Sequence, residues 1–273
     1  MTPPEHQRTV LITGASSGIG YAAALAFARA RHNVAVTARR VDRLAELEAA
    51  VAALPEPHGE LLAIAADVRD PDAMRRAVEQ AVARFGRLDV LVANAGVGQR
   101  GAIVDSEWEH LETLLRTNID GVLHSVRAAV PAMRASPPIE AEGGQQILVI
   151  SSVVANMIAP YAATYSASKA FVSSIAGALR YELEVDGIWV TDVRVGRTAT
   201  EFNEKRLGQA GRSVKAPRLP VMTVEQVAEG IVRASRQRKQ VVVLRWFDRL
   251  IMLGNALLPG FVSRRALNQY KLD

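Results

Sequence analysis

Tyr165 and Lys169 stand four residues apart in "YSASK" (165–169), a spacing that brings two side chains together on one helix face. A phenol and an ammonium that reach the same small volume can relay a proton, provided the phenol's pKa, near 10 in water, is drawn toward neutrality. Taken alone, the same pair is what an exposed helix face carries to stay solvated. A second constellation is "LITGASSGIG" (11–20), where Gly14, Gly18 and Gly20 follow an apolar run and open a helical one. Glycines there let the backbone approach a diphosphate, and a helix N-terminus offers N–H donors and partial positive charge. The spacing is a weak signal by itself; the strand–loop–helix setting gives it weight.

The next apolar run ends in "VTARRVDR" (36–43). In a unit that holds a dinucleotide, an acid at this place binds the adenosine ribose and repels a 2'-phosphate. Here Ala38 takes that place and Arg39 and Arg40 follow. A charge-assisted arginine–phosphate contact contributes about 1.5–3 kcal/mol, or about ten- to a hundredfold in affinity. NADP(H) is therefore expected in preference to NAD(H), the alternative being that the two arginines merely solvate the start of the following helix.

Apolar runs of β type alternate with segments of helical period. "TVLIT", "VAVTA", "LLAIAA", "LDVLVAN", "QILVIS", "IWVTDVRV" and "VVVL" read as strands, with helices predicted over 18–31, 42–53, 71–85, 106–133, 161–185 and 224–236. Continuous apolar strands separated by helices imply a parallel sheet buried on both faces. The predicted fold is a doubly wound α/β sheet of about seven strands, a Rossmann fold, in one domain covering 1–273 with a helical extension over 245–273. Two segments break the rhythm. "RASPPIEAEGGQQ" (134–146) reads as a surface loop, and the polar stretch over 198–222 is long enough to be a substrate lid.

Composition narrows the chemistry. Of 273 residues, 49% are hydrophobic and 22% charged, enough apolar mass for a sizeable core. The net charge of +5 is spread along the chain rather than gathered into a nucleic-acid surface. With no cysteine, disulfides and thiolate catalysis are excluded, and five scattered histidines give no metal-ligand spacing. The N-terminus has no signal-peptide form and no segment reads as membrane-spanning, so a cytoplasmic protein is expected.

Taken together, the motifs resemble the short-chain dehydrogenase/reductase family, in its subgroup with a TGxxxGxG fingerprint and a YxxxK active site. "TGASSGIG" (13–20), "DV" (67–68), "NAG" (94–96), Asn118 in "TNIDG", "SS" (151–152) and "YSASK" occur in the family's order. The resemblance implies cofactor contacts from Ser16, Ser17 and Ile19 beside the glycines, from Asp67 and Val68 at the adenine, and from Asn94, Ala95 and Gly96 along the floor. Asp67 can equally be a turn residue at a strand end. Thr198 and Thr200 would meet the nicotinamide, although Val195 replaces the proline that often precedes Gly196 there.

The same resemblance makes Tyr165 the general acid/base and gives Lys169 a second role on the nicotinamide ribose. Lys169 and an oxidised nicotinamide would both lower the tyrosine's pKa. Ser152, preferred to Ser151 for its separation from Tyr165, would hold the substrate oxygen. Asn118 would hold a water for a proton relay, or else brace a helix kink. A homodimer or homotetramer is implied as well.

Val154, Asn156, Met157, Tyr161, Phe202 and Leu207 suggest an apolar pocket for a steroid-, retinoid- or lipid-like carbonyl or secondary alcohol, and Arg197, Arg206 and Arg212 leave an anionic group on it open. A 3-oxoacyl thioester reductase and a non-catalytic NADP(H) sensor are the competing readings. In the extension, Trp246, Phe247, Leu250, Ile251, Leu257 and Leu258 form an apolar stripe flanked by Arg245, Arg249, Arg264 and Arg265. It fits a peripheral membrane contact, a pocket cover or a subunit interface.

Overall fold

Strands that are apolar on both faces need cover on both sides, and the computed structural model of the chain, which describes residues 7–137, 139, 143–208 and 221–270, supplies it. The main strands are β1 (Thr9–Thr13), β2 (Asn33–Ala38), β3 (Leu61–Ala65), β4 (Val90–Ala93), β6 (Gln146–Ser152), β7 (Trp189–Val195) and β9 (Val241–Val243). They form a parallel sheet in the order β3-β2-β1-β4-β6-β7-β9, with strand order reversing between β1 and β4. Two-residue strands β5 (Gln99–Arg100) and β8 (Leu207–Gly208) pair separately.

The helices are α1 (Gly18–Arg29), α2 (Val41–Ala52), α3 (Pro71–Phe85), α4 (Trp108–Leu115), α5 (Gly121–Ala135), α6 (Ala163–Glu182), α7 (Val224–Ala234), α8 (Trp246–Leu257) and α9 (Pro259–Tyr270). Alternation along each strand divides the core in two. Val10, Ile12, Val34 and Val36 face α1, α2 and α7. Leu11, Ala35, Leu91 and Ile147 face α3, α5 and α6. Arg8, fully buried just before β1, reaches across to the end of α7, donating to Ser235 O at 2.7 Å and Ser235 Oγ at 2.9 Å.

The sequence pattern locates most of these elements, and α3 falls where expected because its ends are marked. Asp70 caps its first turn by accepting from Asp72 and Ala73 N–H, Pro71 opens it, and Gly86 closes it at φ +79°. The helix predicted over 106–133 is interrupted: a π turn at Arg116–Asp120 separates α4 from α5. The stretch expected to be a surface loop over 134–146 is narrower, since α5 runs to Ala135 and Gln146 already lies in β6. Gln145 and Gln146 are buried, their amides donating to Met133 O at 2.6 Å and to Thr191 Oγ1 at 2.9 Å.

Candidate active site

The glycine loop hangs from the neighbouring strand, with Gly14 and Ala15 N–H both donating to Thr37 O at 2.8 and 3.1 Å. A Cβ on Gly20 would stand 2.5 Å from Gly14 O and 2.7 Å from Asn94 Nδ2, so the helix can begin this close to the loop only without a side chain there. Asn94 ties the floor to the loop by donating through Nδ2 to Thr13 O at 2.8 Å, while Asn94 and Ala95 N–H donate to Thr13 Oγ1. Ser17 caps α1 without a side-chain bond into it, and no acid stands in the first turn. That combination leaves the helix N-terminus, with Ile19 in its first turn, suited to an anion.

Arg40 lies over this loop, its guanidinium donating to Ser16 Oγ at 3.0 Å and Ser17 Oγ at 2.8 Å. Arg39 is exposed, 4.0 Å from Asp67 Oδ2. Burial works against the Asp67 carboxylate, but hydrogen bonds and charge from Arg69, with the charge of Arg39, hold it below its ordinary value. Asp67, Arg69, Asp70 and Arg116 line a cavity of about 230 Å³ at this end of the groove. Val68 is buried, and its carbonyl lies 2.9 Å from His124 Nδ1.

The reacting end is assembled from β6, α6 and the π turn. Ser151 and Ser152 are neighbours on a strand, so their side chains point to opposite faces. Ser151 donates to the buried Asp192 carboxylate, which also accepts from Ser173 and Arg194. Ser152, whose hydroxyl acts on the Tyr165 phenol, donates to Val195 O at 3.2 Å and accepts from Val154 N–H at 3.3 Å. Lys169 is buried and donates through Nζ to Ile150 O at 2.9 Å.

Burial lowers the Lys169 ammonium from 10.5 to about 8, with the Asp192 charge pulling the other way. Burial also pushes the Tyr165 phenol above 10, against the hydrogen bond with Ser152 and the charge of Arg206. Within the chain the Lys169 ammonium is turned to the Ile150 carbonyl. Burial favours the protonated phenol, the form a proton donor needs.

Asn118 is fully buried in the π turn. Its amide accepts from Val97 N–H at 2.8 Å and donates to Val97 O and Ser168 Oγ, both at 3.0 Å. The side chain thus braces the strand end against α6, and π turns of this kind recur at functional sites. Gly96 lies beside both Asn118 Oδ1 and Lys169 Nζ.

Residues 198–208 run beside the glycine loop and bring Phe202 to Tyr165. Thr198 Oγ1 donates to Gly196 O at 3.1 Å, and the methyl of Thr200 abuts Gly18. The Phe202 ring meets the Tyr165 ring at 5.8 Å between centroids, and Leu207 N–H donates to Gly98 O at 2.8 Å. Arg212, named above for an anionic substrate group, falls within 209–220, outside the described residues.

Sequence reasoning missed Ser168, Asp192 and Asp248. For the aspartates the signal was a charged residue inside an otherwise apolar stretch, "WVTDVRV" and "WFDRLIML". Asp248 is 1% exposed and ion-paired with Arg245 at 2.6 Å, and Asn255 Nδ2 donates to Asn156 O at 2.7 Å, so α8 packs on the turn after Ser152. The apolar stripe of the extension is therefore divided: Phe247 and Ile251 are half-buried, while Trp246, Leu250, Leu253 and Leu257 face outward. Among the described residues no helix is long and apolar enough to cross a membrane.

A glycine loop at the point where strand order reverses, with Ser152, Tyr165 and Lys169 at the same end of the sheet, is the arrangement of a nicotinamide-dependent oxidoreductase. Residues 8–210 match the family model described as short chain dehydrogenase, and the chain belongs to that family. It is 33% identical to 11-beta-hydroxysteroid dehydrogenase 1A of Arabidopsis thaliana, over 94% of this chain and 73% of that one. It is 36% identical to sulfoacetaldehyde reductase 2 of Chromohalobacter salexigens, over 81% and 85%. Among solved structures, a short-chain dehydrogenase from Sphingobium yanoikuyae in complex with NADPH is 31% identical, with a TM-score of 0.74 over 97% of both chains. Members of the family bind nicotinamide cofactors and act on small carbonyl or alcohol substrates.

Proposed function

We propose that the chain is an NADP(H)-dependent oxidoreductase of hydrophobic carbonyls or secondary alcohols, with Tyr165 as the general acid/base. The observation that carries this reading is Tyr165 on α6, its ring packed against Phe202 at 5.8 Å between centroids, one helical turn from buried Lys169. When bound, the nicotinamide supplies a hydride to a carbonyl carbon or takes one from an alcohol. Ser152 orients the substrate oxygen, Tyr165 gives or takes its proton, and Lys169 holds the ribose and sets the local charge. Asn118, by holding Val97 and Ser168, keeps the base of α6 in register with the cofactor floor.

Gly14, Gly18, Gly20 and the N-terminus of α1 would receive the diphosphate, Asp67 and Val68 the adenine, and Thr198 and Thr200 the carboxamide side. The loop geometry suits this group, because Gly20 can carry no side chain and the first turn of α1 carries no acid. Arg39 and Arg40 favour the 2'-phosphate. Replacing both by alanine is expected to cut the NADPH over NADH preference by about ten- to a hundredfold, read as the ratio of kcat/KM values. An unchanged ratio removes them from cofactor choice.

The kinship with a hydroxysteroid dehydrogenase and the mostly apolar residues that follow Ser152 in the sequence support a steroid- or lipid-like substrate. Arg206, whose charge acts on Tyr165, favours a second reading in which the carbonyl compound carries an anionic group. Residues 198–222 would act as the lid, and a homodimer or homotetramer is expected from the family. The outward face of α8, with Arg249, Arg264 and Arg265 exposed nearby, suits a membrane surface. NADPH absorbance followed with hydrophobic ketones, anionic aldehydes and 3-oxoacyl thioesters tests the proposal. Consumption confined to acyl thioesters would replace the substrate class, and no turnover in either direction would leave a cofactor-binding sensor.

A further inference from the structure

The segment that leaves β7 toward Thr200 pairs with Met222, whose N–H donates to Arg197 O at 2.9 Å and whose carbonyl accepts from Ala199 N–H at 3.0 Å, so that its inner part is held while Gly196 lies before that pairing. Its first residue, Gly196, is pressed against the start of α8. A Cβ at Gly196 would stand 2.1 Å from Asp248 Oδ2 and 2.9 Å from an Arg245 guanidinium nitrogen. Asp248 accepts from Arg245 Nε at 2.9 Å and from its terminal nitrogen at 2.6 Å, and the carboxylate is almost wholly buried. As an acid in the first turn of α8 it is also favoured by that helix's dipole. From Gly196 the contacts continue inward: Thr198 Oγ1 donates to Gly196 O, Asn203 Nδ2 donates to Thr198 O at 2.9 Å, and a Cβ at Gly18 would stand 3.5 Å from the Thr200 methyl. At its other end α8 holds Asn156 O through Asn255.

We propose that α8 is a positioning element of the active site, its buried Asp248 carboxylate fixing the Gly196 backbone and, through it, the Thr198–Thr200 wall of the cofactor groove. The proposal rests on reading that wall as facing the cofactor. It gives the extension a task distinct from whatever its outward face meets.

A size exchange tests it. NADPH affinity is measured by fluorescence titration for the wild type, Gly196→Ala, Asp248→Ala and the double variant, with the melting temperature of each taken without cofactor. Gly196→Ala is expected to weaken NADPH binding by about tenfold or more in the wild-type background and by less than about threefold where Asp248 has been shortened, as coupled neighbours do. A general loss of stability would not produce that recovery of affinity. Asp248→Ser, shorter but polar, carries the same comparison if the alanine variant does not fold. Equal effects of Gly196→Ala in both backgrounds overturn the proposal while leaving the cofactor site standing. A wild type that does not bind NADPH removes the reading beneath it, and the proposal falls too.

Discussion

With Tyr165 replaced by phenylalanine, kcat is expected to fall by about 10²- to 10⁴-fold while NADPH binds as before. The substitution removes one hydroxyl and keeps the ring that packs on Phe202 at 5.8 Å, so the groove is left in shape. What is lost is the proton delivered to the substrate oxygen. Single-turnover rates and a cofactor titration on the same preparation separate the two effects. A Phe variant that keeps more than about a tenth of the wild-type kcat assigns the proton to another group.

Lys169→Met is expected to act in opposite directions on activity and stability. Burial holds the native ammonium at about 8 against an ordinary 10.5, so the folded chain releases its proton before the unfolded chain does. Between those values the unfolded state binds more protons and native stability rises with pH; below about 8 the folded state carries the full cost of the buried charge. That cost is on the order of 3 kcal/mol at pH 7. The methionine variant should therefore melt higher at pH 7, lack the alkaline rise, and lose about 10²-fold or more in kcat. Denaturant titrations at pH 7 and pH 10 read the stability difference directly. A variant less stable than the wild type at pH 7 would mean that the Ile150 hydrogen bond outweighs the burial cost.

The fold was legible where apolar runs were bounded by punctuation. β1, β2 and β6 announce themselves as continuous apolar stretches, and Asp70, Pro71 and Gly86 mark α3 at both ends. The π turn was hidden because Leu111, Leu114, Asn118, Val122 and Val126 keep an almost helical spacing through it. Periodicity reports which residues are buried, and a single extra residue per turn barely disturbs it.

At the site, residues that act through local spacing were readable, as Tyr165 with Lys169 and the three glycines show. Residues that act across the sheet were not. Asp192 meets Ser151 from an adjacent strand, and Asp248 meets Gly196 from 52 positions along the chain, counted from the sequence. The two arginines divide their work in a way that composition does not reveal. Arg40 folds back on Ser16 and Ser17, whereas Arg39 stays in solvent beside Asp67.

Arg8 carries a consequence for synthesis. The residue stands next to β1, in the middle of the sheet, yet its guanidinium donates to Ser235, 227 residues downstream. As the chain leaves the ribosome at about 5–20 residues per second, the N-terminal half must wait roughly 11–45 seconds for that partner. During this interval the far end of α7 cannot yet seal the face of the sheet that α1 and α2 begin to cover. A nascent chain stalled before residue 235 should thus be digested by protease at the first strand, and protection should arrive as a late, single step once α7 has cleared the exit tunnel.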